Sequence, residues 1–177
     1  FQSIGSVAIC DMVGSGNALL DACAAPGGKS VNLADKFSSV TSFELHEHRV
    51  ELIKDYARRM NKTNITAVCK DSSVYDEEYS EKFDAVLCDV PCSGYGVIKD
   101  NPDIKLRRTE EDVEKISETQ LKILEICSRY VKKGGYLYYS TCSVFKSENE
   151  GVCLEFLRKH ADFAECKTEP KLNHLKM

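Results

Sequence analysis

From Leu19 onward, short apolar runs alternate along the chain with stretches that repeat apolar residues at helical spacing. The runs lie at about 19–23, 40–44, 65–69, 83–89 and 135–141, and each has the length of a strand. Such alternation is typical of a mostly parallel central sheet with helices on both faces. The sequence therefore predicts a doubly wound α/β fold.

Helical spacing is clearest in three stretches. One apolar stripe consists of Val50, Ile53, Ala57 and Met60. A longer helix is predicted over 109–132, with Thr109 as its N-terminal cap. The run 147–150 has a capping-box pattern, which predicts a last helix that ends near His160.

The length of 177 residues, of which 42% are hydrophobic, suits one well-cored domain. We expect a single domain over 1–177 that acts as a monomer, and the start at Phe1 suggests a segment of a longer protein. No apolar run approaches the roughly 20 residues of a membrane-spanning helix, so we expect a soluble chain without membrane association. Free thiols placed in apolar strands are typical of the reducing cytoplasm.

Cysteine spacing and net charge exclude several classes of protein. The nine cysteines form no CxxC pair and the histidines do not cluster, so we expect neither structural zinc nor a disulfide framework. The net charge of −4 has the wrong sign for a domain that binds nucleic acid by its phosphates alone. Either the substrate is not a nucleic acid, or another segment supplies most of the binding.

Candidate ligand-binding residues follow the predicted strands, where open parallel sheets bind their ligands. After the first strand comes a turn of small residues: Cys23, Ala24, Ala25, Pro26, Gly27, Gly28 and Lys29. Cys23 occupies the position where a phosphate-binding loop requires glycine, which argues against ATP or GTP. The acids Glu44, Asp71 and Asp89 follow the next three strands, and together they favour a cofactor that contains adenosine.

Two cysteines lie at the ends of the last two predicted strands, and each by itself is more often a core residue than a catalytic one. Cys92 follows Asp89 by three residues, and Cys142 lies in a Ser-Thr-Cys-Ser segment. Methylation of carbon 5 of a pyrimidine requires a thiolate that adds to carbon 6, an acid at ring nitrogen 3 and a base for the carbon-5 proton. Cys142, Asp89 and Cys92 are candidates for these three roles.

Over 2–166, the chain resembles the catalytic domain of the RsmB/Sun family of RNA 5-methylcytosine methyltransferases. The matching blocks are 21–29, 89–98 with 102–105, and 140–143 with 148–149. The run from Val97 through the Gln120-Leu121 helix most resembles the bacterial 16S ribosomal RNA branch. The resemblance implies a Rossmann-like class I methyltransferase fold and an RNA substrate.

The resemblance also implies roles for individual residues. Cys142 would form the covalent bond to cytosine, while Cys92 would help to release the methylated product. S-adenosylmethionine would contact 23–29 and the acids Glu44, Asp71 and Asp89. Arg49 would lie near the ribose of the cofactor, and Lys29 near the reacting centre.

The chain departs from the family pattern at several positions. Glu44 and Ser3 each stand where aspartate is commoner, and Leu106 stands where tryptophan is usual. Family members also carry a helical RNA-binding domain upstream and a final strand downstream, both of which we expect to be absent here. Their absence would account for the acidic charge.

Two other classes of function stay open. The chain could be a catalytically weak or inactive S-adenosylmethionine-binding module in ribosome assembly, although Cys92 and Cys142 are both present. It could also methylate tRNA, DNA or a small molecule. DNA cytosine enzymes place the nucleophile in a Pro-Cys pair after the fourth strand, which would nominate Cys92, whereas the Ser-Thr-Cys-Ser setting of Cys142 favours RNA.

Overall fold

A computed structural model describes residues 2–99, 102–104 and 109–166, and it contains five strands and five α-helices in these ranges. In chain order they are α1 (Ile4–Met12), β1 (Gly16–Asp21), α2 (Gly28–Leu33), β2 (Phe37–Glu44), α3 (Glu47–Arg59), β3 (Ile65–Cys69), β4 (Phe83–Asp89), α4 (Glu110–Ser128), β5 (Val131–Ser140) and α5 (Glu150–Lys159). All strand pairs are parallel, in the order β3-β2-β1-β4-β5. The predicted α/β fold with a parallel sheet is confirmed.

Helices cover both faces of the sheet because side chains alternate along each strand. Leu19 of β1 packs in one core with Cys10 of α1 and Leu33 of α2. Its neighbour Leu20 packs in a second core with Leu124 and Phe156, which belong to α4 and α5. The two cores hold the sheet between two helical layers, as a doubly wound fold requires.

Three strands begin earlier than the apolar runs suggested. β1 and β2 start three residues before the predicted 19 and 40, and β5 starts at Val131 instead of 135. The carboxylate of Asp84 accepts the backbone N–H groups of Asn17 and Ala18 at 2.9 and 2.8 Å, which extends β1 through polar residues. The predicted bounds 65–69 and 83–89 are confirmed.

The helix predicted over 109–132 ends at Ser128, four residues early. The chain then enters β5, where the register to β4 shifts between the pairs Phe83–Val131 and Ala85–Tyr136. Gly134 accommodates this irregularity with a φ of +77°, a left-handed conformation that favours glycine. Gly134 thus lies in a bulge inside the strand.

Of the two predicted helix starts, one is confirmed and one is wrong. Thr109 accepts the N–H of Asp112, whose carboxylate in turn accepts the N–H of Thr109, which makes a capping box. At the last helix, Asn149 precedes Glu150 without a side-chain cap, and Lys146–Glu148 forms a 3₁₀ turn. Glu148 is fully buried, so its carboxylate serves other partners.

One further expectation needs correction, and two residues named from the sequence lie outside the described residues. Met60 does not complete the apolar stripe of α3, because half of its surface is exposed. Leu106 and Lys105 lie outside the described residues. Within the described residues, no helix has both the length and the apolar character needed to cross a membrane.

The capping box predicts a measurable contribution to stability. We expect Thr109→Ala to lower the free energy of unfolding by about 1 kcal/mol, because an orphan N–H at the start of α4 loses its acceptor. Urea unfolding followed by circular dichroism measures this change. Thr119→Ala, at an exposed interior position of the same helix, is the matched control and should cost less; equal losses in both variants would contradict the capping role.

Candidate active site

The turn after β1 approaches α3 closely. Gly27 has a φ of +101°, and a Cβ at this position would lie 3.1 Å from the Cα of Ile53. Only glycine satisfies both the backbone conformation and the close approach. The turn is thereby held at the carboxyl edge of the sheet.

A cavity of about 220 Å³ opens at this edge. Among its lining residues are most members of the predicted turn, namely 23–26 and 28–29, and also Asp89. Gly27, Glu44, Arg49 and Asp71 are not among the lining residues. The structure thus gathers most of the turn and Asp89 around one cavity, and Glu44 and Asp71 are not part of its lining.

Asp21 also lines the cavity, although the sequence reasoning did not single it out. Its carboxyl is buried, and one oxygen accepts the hydroxyl of Ser30 at 2.7 Å, while Ser30 accepts that of Ser42 at 2.9 Å. The other oxygen has no hydrogen-bond partner among the described residues. Burial raises the pKa of Asp21 to about 6. An unpaired buried carboxylate oxygen in a cavity suits a ligand that brings a hydrogen-bond donor or a positive charge.

Glu44 is buried at the end of β2 and is joined to the turn through Arg49. Its carboxylate accepts the N–H of His46 at 3.0 Å and a guanidinium N–H of Arg49 at 3.4 Å. A second guanidinium nitrogen of Arg49 donates to the carbonyl of Ala25 at 3.5 Å. Arg49 therefore couples the position of Glu44 to that of the turn.

Asp71 lies just after β3 and is partly buried. Its carboxylate accepts the backbone N–H of Ser73 at 2.8 Å, which fixes a local turn. Its position at a strand end agrees with the sequence reasoning. Its role in ligand binding stays a prediction.

Lys29 and Asp89 form an ion pair inside the cavity. The Nζ of Lys29 lies 2.6 Å from a carboxylate oxygen of Asp89, and the other oxygen accepts the hydroxyl of Ser140 at 2.7 Å. Burial opposes the charge of Lys29, but the Asp89 carboxylate outweighs it, so the pKa of the ammonium is raised. An ammonium and a carboxylate in contact can deliver or accept a proton at this edge of the sheet.

Cys92 and Cys142 are brought into direct contact. The backbone N–H of Cys142 donates to the sulfur of Cys92 at 3.2 Å. The Cys142 thiol also donates to this sulfur, and the N–H of Gly94 adds a third bond, so the pKa of Cys92 falls to about 7 although burial opposes the shift. The pKa of Cys142 is raised, first because its proton is held by Cys92 and second because of burial.

Once one proton has left the pair, the two thiols share the other, with the negative charge preferred on Cys92. The family resemblance assigned the covalent bond to Cys142 and product release to Cys92, but the sequence carried no information on their relative pKa values. As residues, Cys142 is exposed and Cys92 is half-buried.

Backbone contacts hold the two cysteine segments together. The N–H of Gly96 donates to the carbonyl of Cys142 at 2.8 Å, and a Cβ at position 96 would lie 2.5 Å from that oxygen. Glycine is required here for the approach of the backbones. Ser93, Ser143 and Glu148 add a side-chain network behind the cysteines that sequence reasoning missed, although Glu148 belongs to one of the blocks that carry the resemblance.

The hydrogen bonds at Cys92 predict a pH dependence. We expect alkylation of Cys92 by iodoacetamide, followed peptide by peptide with mass spectrometry, to rise with pH around a midpoint of about 7. In Cys142→Ala, the midpoint should move upward toward the ordinary 9.0, because the thiol donor is gone. Cys69→Ala, a change at an exposed thiol, is the control. An unchanged midpoint in Cys142→Ala would show that the thiols do not share a proton.

The chain is similar to several known proteins. The chain is 45% identical over 153 residues to the probable ribosomal RNA small subunit methyltransferase B of Bacillus subtilis (strain 168), which covers 84% of the chain and 34% of that protein. The chain thus spans about a third of the length of this curated relative.

Two crystal structures share the fold. NSun6 from Pyrococcus horikoshii with SFG matches with a TM-score of 0.79 and 25% identity over 89% of the chain and 41% of that protein. A methyltransferase homolog protein from the same organism has a TM-score of 0.75 and 30% identity over 89% of the chain and 50% of that protein. These likenesses confirm the Rossmann-like class I methyltransferase fold. The family model for 16S rRNA methyltransferase RsmB/F matches residues 12–176, which shows that this chain belongs to that family.

Proposed function

We propose that the chain is the catalytic domain of an enzyme that transfers a methyl group from S-adenosylmethionine to carbon 5 of a cytosine in RNA, with 16S ribosomal RNA as the substrate. The observation that carries the proposal is the contact between Cys92 and Cys142 beside the Lys29–Asp89 pair. Membership of the 16S rRNA methyltransferase RsmB/F family supports the choice of substrate. The whole enzyme would act as a monomer in the cytoplasm.

The residues of the cavity fit S-adenosylmethionine. When bound, the cofactor supplies a methyl group on a positively charged sulfur. The unpaired oxygen of Asp21 suits the amino group of the cofactor, and the buried carboxylate of Glu44 suits the ribose hydroxyls. The turn 23–29, Arg49, Asp71 and Asp89 complete the proposed binding set. The structure of NSun6 with SFG, an S-adenosylmethionine analogue, supports the choice of cofactor.

The shared proton gives Cys142 a route to attack. As the sulfur of Cys142 bonds to carbon 6 of cytosine, its proton passes to the Cys92 thiolate. Electrons of the ring move toward nitrogen 3, which receives a proton from the Lys29–Asp89 pair. Carbon 5 then carries the electron density needed to take up the methyl group.

Product release reverses these steps. Cys92 loses its acquired proton to water, and the backbone N–H donors of Cys142 and Gly94 stabilise the thiolate that forms. Its thiolate then removes the proton from carbon 5, the C5=C6 double bond re-forms, and the bond to the Cys142 sulfur breaks. Nitrogen 3 returns its proton to the Lys29–Asp89 pair. The proton on Cys92 passes to the departing Cys142 thiolate, so both cysteines regain their starting state.

A second assignment makes Cys92 the nucleophile and gives Cys142 the role in product release. The lower pKa of Cys92 favours it as a nucleophile, as in enzymes that methylate cytosine in DNA. The greater exposure of Cys142 as a residue and its Ser-Thr-Cys-Ser setting favour the first assignment.

Alanine variants of the full chain separate these assignments. We expect Cys142→Ala to abolish transfer of tritiated methyl groups to ribosomal RNA while cofactor binding is retained. Cys92→Ala should accumulate a covalent protein–RNA adduct, seen as a shifted band on a denaturing gel. The Cys142 proton can pass to water, so addition still proceeds, whereas no base is left to remove the carbon-5 proton and release fails. Cys69→Ala should behave as the unmodified chain.

The opposite pattern, with an adduct in Cys142→Ala and none in Cys92→Ala, would support the second assignment. Full methyl transfer in Cys142→Ala would overturn the covalent role of this residue. If the unmodified chain methylates tRNA or DNA and not ribosomal RNA, the substrate proposal fails. Binding of the cofactor without transfer to any of these would indicate an inactive binding module.

A further inference from the structure

Behind the two cysteines lies a carboxylate that the proposed chemistry does not use. Glu148 is fully buried in the 3₁₀ turn before α5, and Ser93 and Gln120 beside it are buried as well. A buried carboxylate is costly unless several donors compensate its charge. The donors around Glu148 meet that requirement.

Glu148 accepts hydrogen bonds from both cysteine segments. On one side, the backbone N–H of Ser93 donates at 2.8 Å, and the Ser93 hydroxyl donates to the second carboxylate oxygen. On the other side, the hydroxyl of Ser143 donates to that same oxygen. Each serine directly follows a cysteine of the pair, Cys92 or Cys142.

Neighbouring side chains fix Glu148 itself. The amide of Gln120, on α4, donates to the carboxylate at 3.2 Å and to the carbonyl of Pro91 at 2.9 Å. The hydroxyl of Tyr139 donates to the backbone carbonyl of Glu148 at 2.7 Å. Asn149 donates to the carbonyl of Ser143 at 2.9 Å. The segments after β4 and β5, the helix α4 and the strand β5 thus all contribute a hydrogen bond to Glu148.

We propose that Glu148 is a positioning residue, whose carboxylate holds the Cys92 segment and the Cys142 segment together so that the two sulfurs stay in contact. This inference rests on the proposed function only in that the sulfurs are the reacting groups. The contact itself can be measured without any methylation assay. Glu148 acts through Cys92 and Cys142 and does not touch the substrate.

The direction in which the pKa of Cys92 changes distinguishes loss of the contact between the sulfurs from loss of the Glu148 charge. The negative charge of Glu148 raises the pKa of Cys92, so removal of the charge alone would lower that pKa. Separation of the segments has the opposite effect, because Cys92 loses its donors from Cys142. A rise after removal of Glu148 therefore reports separation.

The first test measures alkylation of Cys92 by iodoacetamide against pH in Glu148→Ala. We expect the midpoint to rise from about 7 toward 9.0. Glu148→Gln keeps the size and the hydrogen-bonding capacity, because serine hydroxyls can also accept from an amide. Its midpoint should stay at or below that of the unmodified chain. Glu150→Gln, at an exposed glutamate that opens α5, is the control and should show no shift.

A midpoint at or below about 7 in a folded Glu148→Ala variant would overturn the proposal, and so would an upward shift in Glu148→Gln as large as that in Glu148→Ala. If Glu148→Ala does not fold, Ser143→Ala removes the donor on the Cys142 side and keeps the charge. Its midpoint should rise, and an unchanged midpoint in this variant would overturn the proposal.

Methyl-transfer kinetics give a second, separate test. We expect Glu148→Ala to lower kcat about 10- to 100-fold, as a misplacement near 1 Å does, while KM for RNA and for S-adenosylmethionine changes less than about twofold. A loss confined to KM would contradict positioning of the reacting sulfurs. If the unmodified chain transfers no methyl group, the proposed function fails, whereas the alkylation test of Glu148 still decides the positioning role.

Discussion

The parallel pairing of β4 with β5 is the constraint on which the site depends. Its register sets Asp89 opposite Ser140, so the chain leaves both strands at the same height. The segment after each strand then carries one cysteine, and the two segments meet backbone to backbone. Strand register thus sets the two cysteine segments side by side before any side chain contributes.

Hydrophobic periodicity predicts the sheet well because burial on both faces dictates apolar runs. It fails at strand starts, where polar residues extend the strands. Asn17 belongs to β1 because Asp84, 67 positions later, accepts its N–H. Gly134 belongs to β5 because a register shift in the pairing with β4 accommodates its left-handed conformation. Both contacts join distant parts of the chain, so local pattern cannot reveal them.

The same limit applies to the site. The rule that ligands bind beyond strand ends, together with the family resemblance, was enough to propose the turn, the acids and both cysteines. Glu148 was interpreted as part of a helix cap, because its local sequence fits that pattern equally well. Its actual partners include Ser93, which lies 55 positions away. The order of proton affinity in the cysteine pair likewise depends on which sulfur receives the N–H bonds, and only the folded geometry determines this.

The burial of Glu148 also determines how far toward the C-terminus a catalytic fragment must extend. A fragment that stopped after Ser143 would retain both thiols, the ion pair and the glycine turn. It would lack the 3₁₀ turn Lys146–Glu148 and the helix Glu150–Lys159, and Ser93, Ser143 and Gln120 would lose their common acceptor. The minimal unit for engineering or for grafting onto another RNA-binding module therefore extends through α5, well beyond the last residue proposed to react.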